Sequence, residues 1–160
     1  MDSNGDRQRQ RFTVNGIVQG VGFRPFVYRL ATELALGGYI SNDARGVRIE
    51  VEGSLPALIR FRDRLHTEAP PLARIDTFAV EDLAAKGEHE FHIEASDHRG
   101  AAQTQIPPDF AVCHECLHEM NDPNDRRCRY PFVNCTNCGP RFTIVEGIPY
   151  DRPRTSMKVF

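Results

Sequence analysis

The first 112 residues contain no cysteine, and all five cysteines of the chain lie between Cys113 and Cys138. A disulfide-stapled secreted domain would spread its cysteines through its core, so this distribution excludes that class and points to a metal site. No apolar run approaches the ~20 residues that cross a bilayer. The polar start MDSNGDRQRQR also lacks the apolar stretch of a secretory signal. A cytoplasmic protein without a membrane partner is the expectation. Strong charge of either sign is missing too: the formal net charge is −2 and the pI ≈ 6.3, which gives no general attraction to nucleic acid or anionic lipid. What remains, 160 residues of which 40% are apolar, suffices for one modest domain and an appendage.

The chain is organised around residues 16–25, GIVQGVGFRP. Phe12, Val14 and Val18 before and within it have the period-2 pattern of a half-buried strand, and Pro25 is suited to the first turn of a helix. Between them, Gly20 and Gly22 would let successive backbone N–H groups turn towards one anion. The helix N-terminus adds partial positive charge, and Arg24 a full charge with a bidentate fork. By spacing alone, Gly-x-Gly is also an ordinary tight turn.

Downstream, Val27, Leu30, Ala31 and Leu34 recur at helical spacing, with Gly37 and Gly38 placed to stop the helix. Residues 39–42 form a short strand, followed by one in which Val47, Ile49 and Val51 alternate with Arg48, Glu50 and Glu52. Ser54 can cap a second helix whose Leu55, Leu58, Ile59 and Leu65 face the core, ended by Pro70 and Pro71. Residues 74–83 and 90–95 read as closing strands. The order β-α-β-β-α-β predicts an α+β, ferredoxin-like layout: an antiparallel sheet with two helices on one face. The expected division is a flexible arm over 1–10, a domain over 11–95, a linker over 96–108 and a second unit over 109–160.

In that second unit, Cys113-x-x-Cys116 and Cys135-x-x-Cys138 are separated by eighteen residues, the spacing of a tetrahedral four-cysteine zinc site. Four thiolates close such a site and leave no position for a water, so one structural rather than catalytic Zn2+ is expected. Cys128 is then a spare thiol, and His114 and His118 are solvated. Arg126, Arg127 and Arg129 between the knuckles raise the reading of a nucleic-acid ribbon. The negative net charge and the lack of aromatic-basic interleaving beyond Tyr130 go against it.

Residues 16–24, G-I-V-Q-G-V-G-F-R, closely resemble the signature of the acylphosphatase family, and residues 38–53, GYISNDARGVRIEVEG, resemble its second signature. The resemblance implies the ferredoxin-like fold and a phosphate site. In it the backbone N–H groups of Gln19, Gly20, Val21, Gly22 and Phe23, with Arg24, bind the phosphoryl group. Asn42 orients the attacking water, although alone it would read as a hairpin-turn residue. Residues 106–144 resemble the first zinc finger of the HypF carbamoyltransferase family, which serves nickel–iron hydrogenase maturation. Both resemblances together imply the N-terminal piece of a longer protein, with ATP needed only by domains beyond this chain. They imply hydrolysis of carbamoyl phosphate to carbamate and phosphate, with HypE as the eventual protein partner. A generic acylphosphatase with a zinc tail, acting on other acyl phosphates, and a non-catalytic docking fragment are the alternatives.

Overall fold

In the computed structural model, residues 7–96, 109, 111–135, 138–139, 142–148 and 152–160 are described. The first strand, β1 (Arg7–Ile17), leads through the glycine loop into helix α1 (Phe23–Glu33). There follow β2 (Gly37–Asn42), β3 (Gly46–Ser54), helix α2 (Leu55–Thr67), β4 (Arg74–Leu83) and the short β5 (Phe91–Ile93). The strands form one sheet in the order β4-β1-β3-β2-β5. β1 lies antiparallel to both β3 and β4, β2 antiparallel to β3, and β5 parallel to β2 at the edge. This is the ferredoxin-like order expected, with β5 added outside it.

Both helices feed one core. Phe12 and Val14 of β1, Ile40 of β2 and Ile49 of β3 belong to a single buried cluster with Phe26 and Leu30 of α1 and Phe61 and Leu65 of α2. Each such side chain contributes roughly 1.5–3 kcal/mol of transfer free energy. The cluster fixes both ends of the glycine loop, because Val18 and Val21 within it are themselves buried.

Four expectations need correcting. The supposed arm is already strand from Arg7 onward, since Arg9 pairs with residues on β3 and is only 1% exposed. For the same reason Glu50 and Glu52 do not face water. Arg9 donates to Glu50 Oε2 from Nε and Nη2 (3.0 and 2.6 Å) and to Glu52 Oε2 from Nη1 (3.3 Å). Helix α1 is not stopped by its glycines but closes on Ala35, at φ 52°, with Leu36 N–H donating to Ala31 O and Ala35 N–H to Thr32 O. Gly37 and Gly38 are instead strand residues under close backbone approach: a Cβ on them would overlap the carbonyls of Glu88 and Glu50. In α2 the buried stripe is Ala57, Leu58, Phe61 and Leu65, while Leu55 and Ile59 fall on the wet side at 42% and 43% exposure. Ser54 sits at the cap position without a side-chain cap hydrogen bond. Of the expected linker, residues 97–108 lie outside the described residues.

The described part of the second unit has one α-helix, α3 (His114–Asn121), entered through Cys113, whose Sγ accepts from Cys116 N–H at 3.4 Å. Short 3-10 turns at Phe142–Ile144, Arg152–Arg154 and Ser156–Val159 follow, tied by an antiparallel bridge between Val145 and Thr155. No helix among the described residues is long and apolar enough to cross a membrane.

Candidate functional site

The loop between β1 and α1 turns on two glycines in the left-handed region, Gly20 at φ 68° and Gly22 at φ 76°. Gly22 is also the N-cap of α1, and no side chain caps the helix there among the described residues. The first turn carries no acidic side chain either. Its backbone N–H groups and the positive end of the helix dipole are of the kind that can receive an anion. Gly20, Gly22, Phe23 and Arg24 line one cavity of about 320 Å³, so the loop, the helix start and the guanidinium meet at a single place.

The other expected residues are placed differently. Val21 packs its side chain into the core, leaving only its backbone to the loop. Gln19 is buried, and its carboxamide donates to the carbonyls of Asp43 (2.8 Å) and Gly46 (2.6 Å). It is thus a strut between the glycine loop and the turn that follows Asn42. That turn is itself pinned, because Asp43 Oδ1 accepts from the N–H groups of Arg45 (2.8 Å) and Gly46 (2.9 Å). Asn42 ends β2, is fully buried, and does not line the cavity. Loop and asparagine are consequently coupled through Gln19 rather than exposed side by side.

The four cysteines of the two knuckles come together. Their sulfurs lie within 4.8 Å of one another, with Cys113–Cys135 at 3.4 Å, Cys116–Cys138 at 3.7 Å and Cys135–Cys138 at 3.9 Å. A tetrahedron with metal–sulfur bonds of ~2.3 Å has edges of about 3.8 Å, so the donors fit one tetrahedral ion. Burial pushes the Cys116 thiol well up. At Cys113 desolvation is outweighed by the Cys116 N–H and the neighbouring cysteines, which hold that thiol low. Four thiolates so close need a cation to coexist, which is what a structural metal supplies. Cys128 stands outside the cluster, and His114 and His118 are exposed. Of the three arginines between the knuckles, Arg127 is paired with Glu119 at 2.5 Å.

What sequence reasoning missed is the other wall of the cavity. Besides the loop, it is lined by Asn134, Gly139 and Arg152 of the cysteine module. A Cβ on Gly139 would overlap the Gly20 carbonyl, so the second knuckle rests directly on the glycine loop. Linear spacing carries no signal for this contact. A glycine after a Cys-x-x-Cys knuckle reads only as a turn.

Fold and loop define the class: the chain belongs to the acylphosphatase family, whose model matches residues 10–93, and a HypF finger model matches residues 112–145. An acylphosphatase of Mannheimia succiniciproducens is 43% identical over 56% of this chain and 98% of its own length. More particularly, 95% of the chain is 52% identical to the carbamoyltransferase HypF2 of Cupriavidus necator, of which it covers 19%. Among solved structures, full-length HypF in its phosphate- and nucleotide-bound form superposes with a TM-score of 0.83 at 46% identity, over 97% of this chain and 20% of that one. The chain thus spans about a fifth of the length of these HypF proteins and corresponds to their N-terminal part.

Proposed function

We propose that the chain hydrolyses an acyl phosphate, carbamoyl phosphate in particular, as the N-terminal part of a HypF carbamoyltransferase. The observation that carries this reading is the convergence of Gly20, Gly22 and Arg24 on one cavity at an uncapped helix N-terminus. Arg24 and the backbone N–H groups of residues 19–23 hold the phosphoryl oxygens and offset the charge that spreads over them in a loose transition state. Asn42 orients a water in line with the bond to be broken; an amide positions the nucleophile and does not take its proton. The phosphorus–oxygen bond to the carbamoyl group breaks, carbamate leaves with the electron pair, and the water oxygen and its protons end on phosphate. Domains beyond this chain would adenylate the carbamate with ATP and transfer the carbamoyl group to HypE. The ion held by Cys113, Cys116, Cys135 and Cys138 is zinc in this reading, closed by four thiolates with no position left for a water.

The test is phosphate release from carbamoyl, acetyl and benzoyl phosphate by the metal-loaded chain and by Arg24→Ala and Asn42→Ala variants of matched thermal stability. Wild type should turn over, preferring carbamoyl phosphate, and each variant should lose about 100-fold or more. A folded chain that releases no phosphate would be a docking fragment. A preference for acetyl or benzoyl phosphate would make it a generic acylphosphatase.

A further inference from the structure

We propose that the cysteine module is half of the active site: Arg152 is a second substrate-contacting cation, and Gly139 seats the module on the phosphate loop. The inference rests on the acyl-phosphate reading above and adds a residue to it. Its ground is the cavity itself, which Arg24 lines from the domain and Arg152 from the module. Arg24 and Arg152 thus border one space of about 320 Å³ at a helix N-terminus, with Cys135 of the metal cluster beside them. A dianionic phosphoryl group has three oxygens to share between them, and planar forks on different sides can each take one or two.

Arg152 is held in place by its surroundings. Its carbonyl accepts from Thr155 N–H (3.1 Å) and from Thr155 Oγ1 (2.8 Å). Thr155 is buried, and Met157 beside it packs into the small core around Cys116 and Cys138. The cation is therefore anchored to the metal-site core, and that core touches the loop at Gly139, whose φ of 63° and lack of Cβ permit the contact. Through these two contacts the position of the second cation depends on the fold of the cysteine module.

Inorganic phosphate is the probe, titrated calorimetrically into the metal-loaded chain beside steady-state hydrolysis of carbamoyl phosphate. Arg152→Ala should weaken phosphate binding about tenfold to a hundredfold and raise KM by a similar factor. Arg152→Lys should restore part of both, and metal content should stay that of wild type. Arg126→Ala removes an exposed arginine of the module that does not line the cavity, and should change neither quantity. Gly139→Ala should lose phosphate affinity while keeping its metal. If Arg152→Ala loses metal, Arg152→Gln removes the charge with a smaller change of shape and carries the same expectation. Wild-type phosphate affinity in a metal-loaded Arg152 variant overturns the inference. Arg24→Ala in the same titration separates the two readings: if it alone abolishes binding, the acyl-phosphate site stands and the shared wall falls. A wild type that binds no phosphate sinks both.

Discussion

The acylphosphatase domain gathers nineteen buried apolar residues into one cluster, whereas the described part of the cysteine module gathers four, two of which are cysteines. The first can fold on hydrophobic burial, supplemented by the ion pairs of Arg9. The second cannot, because Val133 and Met157 beside two sulfurs bury too little to offset the ordering of its chain. Its folding energy has to come from metal binding, typically about 10–16 kcal/mol for a structural zinc. The cavity joins the two regimes, so one wall is always present and the other exists only when the ion does.

The largest effect that would break this comparison is metal removal. A strong chelator, or Cys116→Ser, should unfold the module while the domain keeps its sheet. Phe61→Ala should do the reverse, costing about 3–5 kcal/mol in the domain with metal stoichiometry intact. Proton NMR of the core methyls of the domain, recorded with metal analysis, checks both. Loss of domain order on chelation would show that the two regions fold as one unit.

A smaller effect isolates the polar part of the domain's stability. Burial alone would raise the Glu50 and Glu52 carboxyls. Arg9 and Arg11 on Glu50, and the N–H groups of Lys86 and Gly87 with Arg9 on Glu52, hold both below the usual carboxylate range. Folded-state values below the unfolded ones mean that the folded state binds fewer protons. This stability is therefore complete above the ordinary carboxylate value of ~4.3 and is lost as pH falls through the lower folded-state values. Arg9→Met should cost about 3–5 kcal/mol at neutral pH by leaving buried carboxylates short of a partner. The gap to wild type should narrow as acid protonates both glutamates. Urea unfolding between pH 7 and pH 3 measures it, and a constant gap would show that Arg9 acts by packing alone.

How much of this could be read from the chain follows the same division. Periodicity located the strands and helices of the domain because its apolar residues repeat along each element, and Cys-x-x-Cys spacing located the metal site because ligation is local in sequence. Both signals fail where pairing is remote. Glu50 and Glu52 alternate like solvent-facing residues, and their partners, Arg9 and Arg11 some forty positions earlier and the N–H groups of Lys86 and Gly87 some thirty-five later, are all remote in sequence. The arginine of the phosphate loop was legible from its glycines. That Arg152 lines the same cavity was not, since it depends on Gly139 meeting Gly20, a contact remote in sequence.

The smallest expected effect sharpens the comparison most, because the same chemical change can be made once in each region. Among the described residues two non-glycines hold positive φ, Ala35 at 52° closing α1 in the domain and Arg129 at 61° in the cysteine module. Left-handed backbone costs an L-residue roughly 1–2 kcal/mol, offset partly by the greater freedom glycine gives the unfolded chain. Ala35→Gly and Arg129→Gly should thus each gain about 0.5–1 kcal/mol. In the domain the gain should appear as a higher unfolding temperature, independent of metal. In the module, where folding and ion binding are one step, it should appear as a twofold to fivefold tighter metal affinity, with the domain transition unmoved. Calorimetric unfolding and a competitive metal titration on both variants decide it. If Arg129→Gly raised the temperature of the main transition instead, the module would be sharing the domain's core and the division between burial and ligation would fail.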